Sequence, residues 1–89
     1  MAKVRRQLIF SGTVQGVGFR YRAMYLAQQY GLTGWVTNLW DGRVQMQLQG
    51  EEKAIWSMAD ALAHQRFISV DDIEWYEIPL EEERGFKVR

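Results

Sequence analysis

The sequence predicts an α+β sandwich in which two helices cover one face of a single antiparallel sheet. Five segments have the alternation or the short apolar runs that are typical of strands, and two have helical periodicity. Their order is β-α-β-β-α-β plus a short C-terminal strand. The length of 89 residues suits one domain, which we expect to span residues 1–89. This order is typical of the ferredoxin-like split βαβ fold.

The first three elements follow from apolar runs and punctuating glycines. A strand is predicted over residues 4–11, where an apolar run ends at Gly12. Residues 19–30 have the spacing of an amphipathic helix, and Gly31 is a natural stop. Residues 34–39 and 43–49 form a predicted hairpin, because apolar and polar side chains alternate in its second arm and Asp41-Gly42 lies between the arms.

The second half of the chain supplies a helix and two strands. Residues 51–67 have helical spacing, with acids in the first turn and Arg66 near the end. A fourth strand is predicted over 73–78, before Pro79, and a last strand over 86–89. A right-handed crossover would make the first and second strands parallel, with the third between them. The loop at 12–19 and the hairpin opening at 38–42 should therefore share one edge of the sheet.

Composition excludes several functional classes. Eleven basic and eleven acidic residues cancel, so the basic bias of a nucleic-acid binder is missing and any bound anion should be small. The absence of cysteine excludes disulfides and thiolate chemistry. The apolar run near the N-terminus has three residues, too few for a signal peptide or a membrane span. We expect a cytoplasmic protein that binds neither nucleic acid nor membrane.

The stretch GTVQGVGFR, residues 12–20, has the composition of an anion-binding loop. Glycines at 12, 16 and 18 allow the backbone to curl, and a loop that leads into a helix presents main-chain N–H groups. Arg20, in the first helical turn, could grip two phosphate oxygens. Val14 stands where the cysteine-dependent phosphatases, with their Cys-x5-Arg loop, carry a nucleophile. Water would therefore have to attack, which restricts the chemistry to labile phosphates. An ordinary β–α turn would have the same spacing.

Two motifs in this order, GTVQGVGFR and GWVTN at 34–38, followed by Gly42, Val44 and Gly50, resemble the signatures of the acylphosphatases. The similarity extends over essentially the whole chain, including the closing GFKVR, and it implies the same ferredoxin-like fold. It also implies hydrolysis of an acyl phosphate to a carboxylate and inorganic phosphate, without a metal or another cofactor. Thr37 departs from the pattern, since the family more often has a longer side chain there, so substrate preference is open.

The resemblance also implies residue roles. Arg20 and Asn38 would be catalytic, with the Asn38 carboxamide positioning the attacking water. The phosphate would be bound by the Arg20 side chain and by the main-chain amides of Gln15, Gly16, Val17, Gly18, Phe19 and Arg20. The substrate's own phosphate oxygen would help to take the proton of the water. Inorganic phosphate would be both product and inhibitor, and a monomer is expected.

Other interpretations were weighed. Acylphosphatase-like domains also occur within larger proteins, so a module that binds carbamoyl phosphate or a similar small phosphate without turnover is the alternative; a chain that starts at Met1 favours an independent enzyme. An RNA-recognition motif has the same element order, but residues 43–50 present glutamines rather than aromatic side chains. We expect Asp41 to serve the hairpin turn, the basic residues at 3, 5 and 6 to be solvated, and the glutamates at 81–83 to be solubilising. The four tryptophans are expected to fill or cover a small core, and Trp40, in the hairpin loop, is the one that could instead touch substrate.

Overall fold

A computed structural model describes residues 2–89. Five strands and two helices follow one another in the predicted order. The strands are β1 (Lys3–Thr13), β2 (Thr33–Asn38), β3 (Val44–Glu51), β4 (Ser69–Ile78) and β5 (Phe86–Val88), and the helices are α1 (Phe19–Gln29) and α2 (Glu52–Ala63).

The strands form one sheet in the order β4-β1-β3-β2-β5. The first four strands pair antiparallel, and because β3 lies between β1 and β2, these two run in the same direction, as predicted. The last strand pairs parallel with β2, so the sheet as a whole is mixed rather than purely antiparallel. The carboxyl ends of β1 and β2 consequently lie at the same edge.

Alternation along the strands sorts the side chains into two layers. One face of the sheet packs under α1 and α2, and its residues are fully buried: Leu8, Phe10, Val36, Val44, Met46 and Leu48. Ala23 and Ala27 from α1 and Ile55, Met58 and Leu62 from α2 complete this core. Both helices therefore lie on one face, as the α+β sandwich requires.

Two boundaries differ from the sequence prediction by four residues, and the others by at most two. The second helix was predicted to run to residue 67, but α2 ends at Ala63, where the N–H of His64 bonds to the carbonyl of Ala61 and the chain tightens. Arg66 therefore lies beyond the last helical turn, and Phe67, with a φ of 71°, is outside the right-handed helical region. The fourth strand begins at Ser69 rather than at 73, because Gly12 and Thr13 extend β1 and pair with Val70 and Ser69.

The opposite face of the sheet carries a polar network instead of solvated charges. The Arg5 side chain is completely buried and donates to Gln47, Gln49 and Glu83. Arg6, on the helical face, is 7% exposed and pairs with Glu52. The expectation that both arginines would be solvated was therefore wrong. Segment 79–85 crosses the sheet over Arg5, and covers the position that alternation alone would leave open to water.

None of the helices within residues 2–89 is long and apolar enough to span a lipid bilayer.

Candidate active site

A cavity of about 140 Å³ lies at the sheet edge where β1 and β2 end. The loop between β1 and α1, the first turn of α1 and the last residue of β2 line it. The lining residues are Val14, Gly16, Gly18, Phe19, Arg20, Tyr21 and Asn38. Topology thus brings together two segments that are about 20 positions apart in the chain.

The backbone of this loop is shaped to receive an anion. Gly16 and Gly18 both have φ of 76°, in the left-handed region that glycine occupies without strain. A Cβ on Gly16 would meet nothing within 4 Å, so the dihedral angle rather than space requires glycine there. Within residues 2–89, the main-chain N–H groups of 15–20 donate to no other main-chain group, and α1 has no side-chain cap. Such a run of free donors at a helix start suits a phosphate.

Arg20 is positioned by the packing of the residue before it and by a hydrogen bond from its side chain to Arg89. The preceding Phe19 is 2% exposed and packs its ring against the edge of Phe10, with ring centroids 5.1 Å apart. One Arg20 guanidinium nitrogen donates to the main-chain oxygen of Arg89 at 2.7 Å. Arg89 is itself held by a hydrogen bond from its N–H to the carbonyl of Val36 and by stacking of its guanidinium over Trp35. Four of the five guanidinium donors of Arg20 remain available for a ligand.

Asn38, the last residue of β2, lines the same cavity as Arg20. Asn38 is exposed to solvent, and its carboxamide makes no hydrogen bond with any of residues 2–89. Oxygen and nitrogen of this amide can therefore accept from and donate to a bound molecule at once. Arg20 is the only charged residue among those that line the cavity, so the electrostatics favour an anion.

Gln15 fixes the loop to the neighbouring hairpin. Its side-chain N–H group donates to the carbonyl oxygens of Leu39 and Arg43, at 2.8 and 2.9 Å. These two residues form the base of the β2–β3 turn, because the N–H of Leu39 also bonds to the carbonyl of Arg43. One side chain thereby ties the β1–α1 loop to the turn that follows Asn38. Sequence reasoning assigned only the main chain of Gln15 and missed this role, although a lone carboxamide in a glycine loop was a signal.

The hairpin itself is stabilised by Asp41. A hydrogen bond from the main-chain N–H of Arg43 to its carboxylate, together with the Arg43 guanidinium at 2.8 Å, lowers the pKa of Asp41 below its ordinary value of 3.8. Asp41 is not among the residues that line the cavity. This arrangement agrees with the expected turn role and keeps a negative charge engaged away from the anion site.

Of the residues predicted to form the site, most but not all line the cavity. Gly16, Gly18, Phe19, Arg20 and Asn38 do so, whereas Gln15 and Val17 lie outside the lining. Gly12 lies within β1 at a bulge, where a Cβ would be 2.2 Å from the carbonyl oxygen of Ser69; it serves strand pairing instead. Val14 and Tyr21 line the cavity although the sequence analysis did not assign them to the site. The position of Tyr21 directly after Arg20 could have indicated this.

A larger cavity of about 480 Å³ lies at the opposite ends of the strands, where β1 and β2 begin. It is lined by residues 81–84 together with Lys3, Thr33 and Gln49. Three of its residues are glutamates, whose charge opposes a phosphate. Its size alone does not make it the anion site. The smaller cavity combines a guanidinium, free N–H donors and a carboxamide, and is the better candidate.

Comparison with known proteins identifies one family. The family model described as Acylphosphatase matches residues 6–88. A protein named Acylphosphatase from Roseiflexus sp. (strain RS-1) is 41% identical over 92 residues, which cover 99% of this chain and 97% of the relative.

Two solved structures share both fold and sequence. A crystal structure of acylphosphatase from Bacillus subtilis has a TM-score of 0.91 and 38% identity, and the match covers 97% of this chain and 98% of that one. The structure of an acylphosphatase from Coxiella burnetii has a TM-score of 0.90 and 34% identity, with coverage of 98% and 93%.

Proposed function

This chain belongs to the acylphosphatase family, enzymes that hydrolyse acyl phosphates, and we propose that its reaction takes place in the cavity between Arg20 and Asn38. The observation that carries the proposal is the convergence, on one small cavity, of a guanidinium, unpaired main-chain N–H groups and an unpaired carboxamide. Each component answers one need of phosphoryl transfer to water: charge neutralisation, positioning of the phosphate and positioning of the nucleophile.

The phosphate is bound by the loop and by Arg20. The N–H groups of residues 15–20 and the guanidinium donate to the nonbridging phosphate oxygens, which places positive and partially positive groups around the charge that these oxygens carry in the transition state. The Arg20 guanidinium keeps its bond to the Arg89 main-chain oxygen on one side and presents the remaining donors to the ligand.

Water is oriented by Asn38. The carboxamide oxygen accepts a hydrogen bond from the water, whose oxygen then attacks phosphorus in line with the acyl oxygen. The bond between phosphorus and that acyl oxygen breaks, and the electron pair leaves with the carboxylate. The proton of the water passes to a phosphate oxygen of the substrate. A carboxylate is a stable leaving group, so no strong general base is required.

The direct test is hydrolysis of acetyl phosphate and benzoyl phosphate by the purified chain in ¹⁸O-labelled water. We expect turnover, with the label in inorganic phosphate, and competitive inhibition by added phosphate. Label in the carboxylate would mean attack on the carbonyl carbon and would contradict this mechanism. Binding of phosphate without turnover of either substrate would instead favour the small-phosphate binding module. Parallel assays with a chelator test whether activity is independent of metal ions.

A further inference from the structure

The cavity accommodates little more than the reacting phosphate. Its volume of about 140 Å³ corresponds to roughly five water molecules, each of which occupies about 30 Å³ in the liquid. A phosphoryl group and its attacking water account for most of that space. The acyl group of the substrate must therefore emerge at the mouth, and whatever recognises it lies on the rim.

One side of the rim is formed by Tyr21. This residue follows Arg20 directly, belongs to the cavity lining and is 61% exposed. It lies on the face of α1 opposite to the buried Phe19 and Ala23, so it contributes nothing to the core. An aromatic ring that is kept in water at the mouth of a phosphate site is free to pack against the remainder of a substrate.

The other side of the rim is the β2–β3 turn, where Trp40 is 96% exposed. Nothing in the turn requires an indole: the turn is closed by the hydrogen bond between Leu39 and Arg43, and by the Asp41 carboxylate. An indole that is fully exposed leaves its apolar surface in contact with water, and this surface is available to pack against a ligand.

Trp40 is held close to the reacting phosphate. Two residues of chain span at most about 7 Å, so its Cα lies within that distance of the Cα of Asn38. The two hydrogen bonds of Gln15 tie the base of this turn to the phosphate loop. Tyr21 and Trp40 therefore flank the mouth from the helix side and the hairpin side.

The charges at the mouth argue against a charged acyl group. Arg20 is the only charged residue of the lining and is committed to the phosphate, and Asp41 and Arg43 are paired with each other. A carboxylate or ammonium on the acyl group would lose water there without a partner among the lining residues.

We propose that Tyr21 and Trp40 form an acyl-binding rim, and that the substrates of this enzyme are acyl phosphates with an apolar acyl group, aromatic or of several carbons. The proposal rests on the proposed function, because it assumes that the phosphate is bound at Arg20. It makes Trp40 a specificity-determining residue, which contacts the part of the substrate that does not react.

The test compares kcat/KM for benzoyl phosphate and acetyl phosphate, and takes their ratio, in the unaltered chain and in Trp40→Ala. The intrinsic reactivities of the two substrates cancel when ratios are compared between proteins. We expect the benzoyl-to-acetyl ratio to fall about five- to tenfold in Trp40→Ala, the size of effect expected for one aromatic contact. Tyr21→Ala should lower the ratio in the same direction. Tyr25→Ala, which removes an equally exposed ring one turn further along α1, is the matched control and should leave the ratio unchanged.

Each outcome decides a different question. If neither substrate is hydrolysed by the unaltered chain, the proposed function fails. If both are hydrolysed but Trp40→Ala leaves the ratio unchanged, or lowers both kcat/KM values equally, the acyl-binding rim is wrong and the proposed function stands. If the ratio is unchanged and Trp40→Ala abolishes a self-association seen by sedimentation, the indole belongs to a protein interface, and the rim is likewise overturned.

Discussion

At the level of single residues, the proposed role of Arg20 depends on the planar arrangement of its N–H donors as well as on its positive charge. One nitrogen is used by the Arg89 main-chain oxygen, and the other donors remain available to a ligand in the cavity that Arg20 lines. A lysine could make one of these interactions but not both, because its ammonium is a point charge without a planar fork.

We therefore predict that Arg20→Lys lowers kcat/KM for acetyl phosphate by about 10³-fold or more, the range found for arginines that stabilise phosphoryl transfer. Steady-state kinetics measure this. Arg84→Lys, the same substitution at an exposed position of segment 79–85, is the control and should leave kcat/KM within about twofold. Near-normal turnover of Arg20→Lys would remove the guanidinium from the reaction.

Asn38 is expected to act on water and not on phosphate. Asn38→Ala should reduce kcat by about 10²-fold or more, since positioned groups of this kind contribute on that scale. The inhibition constant for inorganic phosphate should remain nearly unchanged, because the loop amides and Arg20 are intact. Loss of phosphate inhibition together with kcat would mean that Asn38 binds the anion, and would contradict the division of roles.

The sequence was informative at this scale wherever a residue type had few possible uses. Arg20 and Asn38 stood out because they belong to two separated motifs, and the structure places both on one cavity. The side-chain role of Gln15 was missed because its partners are carbonyl groups of a distant turn. A sequence does not show which main-chain carbonyl groups will accept a hydrogen bond from a distant side chain.

At the level of elements, the approach of β2 to β3 depends on Gly34. A Cβ at this position would lie 1.8 Å from the carbonyl oxygen of Gln47, and the φ of 145° disfavours any other residue. The strand that ends in Asn38 therefore pairs closely with its neighbour only when residue 34 has no side chain.

Gly34→Ala is predicted to lower the free energy of unfolding by more than about 3 kcal/mol, because backbone must move to relieve the overlap. Gly31→Ala provides the comparison: its φ is 71° but a Cβ would have nothing within 4 Å, so only about 1 kcal/mol of left-handed strain is expected. Urea unfolding of both variants measures the difference. Equal losses would mean that the backbone angle, not the close approach, requires glycine at 34.

The hairpin that carries Asn38 should respond to acid through Asp41. Its pKa is lowered in the folded chain by the Arg43 main-chain N–H and by the guanidinium, so ionised Asp41 stabilises the fold above its unfolded pKa. That contribution is lost as the pH falls through the lowered value.

We predict that Asp41→Asn has a lower Tm than the unaltered chain at pH 7, and that the two Tm values approach each other as the pH falls through the lowered pKa of Asp41, because the carboxylate becomes protonated. Thermal unfolding across this range measures the effect. Asp71→Asn removes an exposed carboxylate outside any ion pair of residues 2–89 and serves as the control. A Tm difference that does not shrink as the pH falls to the acid limit of the folded state would show that the carboxylate charge is not its cause.

Element boundaries were predicted within a few residues where local signals act, and less well where tertiary pairing decides. The alternation in β3 and the Asp-Gly turn are local, and the hairpin was placed correctly to within two residues. The start of β4 depends on Gly12 and Thr13 in a strand far along the chain. The end of α2 at Ala63 is followed by turns in which the N–H groups of His64 and Gln65 bond to the carbonyls of Ala61 and Leu62, and no glycine or proline marks this point in the sequence.

At the level of the whole molecule, the buried Arg5 connects the far end of the sheet to the C-terminal segment. Its side chain is completely buried, and Glu83, which is largely buried, is its closest carboxylate. Segment 79–85 leads directly into β5 and then to Arg89, whose main-chain oxygen accepts from Arg20. The sequence suggested solvated charges at both positions, because nothing local shows that this segment folds over the sheet.

Breaking this pair from one side should be costly. Glu83→Gln is predicted to lower the free energy of unfolding by about 2 kcal/mol, because it leaves the buried guanidinium with only the exposed Glu81 carboxylate, 3.5 Å away, as a counter-charge. The double variant Arg5→Met/Glu83→Gln should recover part of that loss. Urea unfolding of Arg5→Met, Glu83→Gln and the double variant checks this, with the exposed Glu82→Gln as the control. A double variant that loses the sum of the two single effects would exclude coupling between the residues.

The central claim is that the loop amides and Arg20 bind the phosphate while Asn38 aims water at phosphorus. The most direct measurement is a crystal structure of the chain with inorganic phosphate bound. We predict a phosphate in the 140 Å³ cavity, hydrogen-bonded to Arg20 and to the N–H groups of residues 15–20, with the Asn38 carboxamide turned towards it. A phosphate found elsewhere while this cavity remains without one would contradict the account.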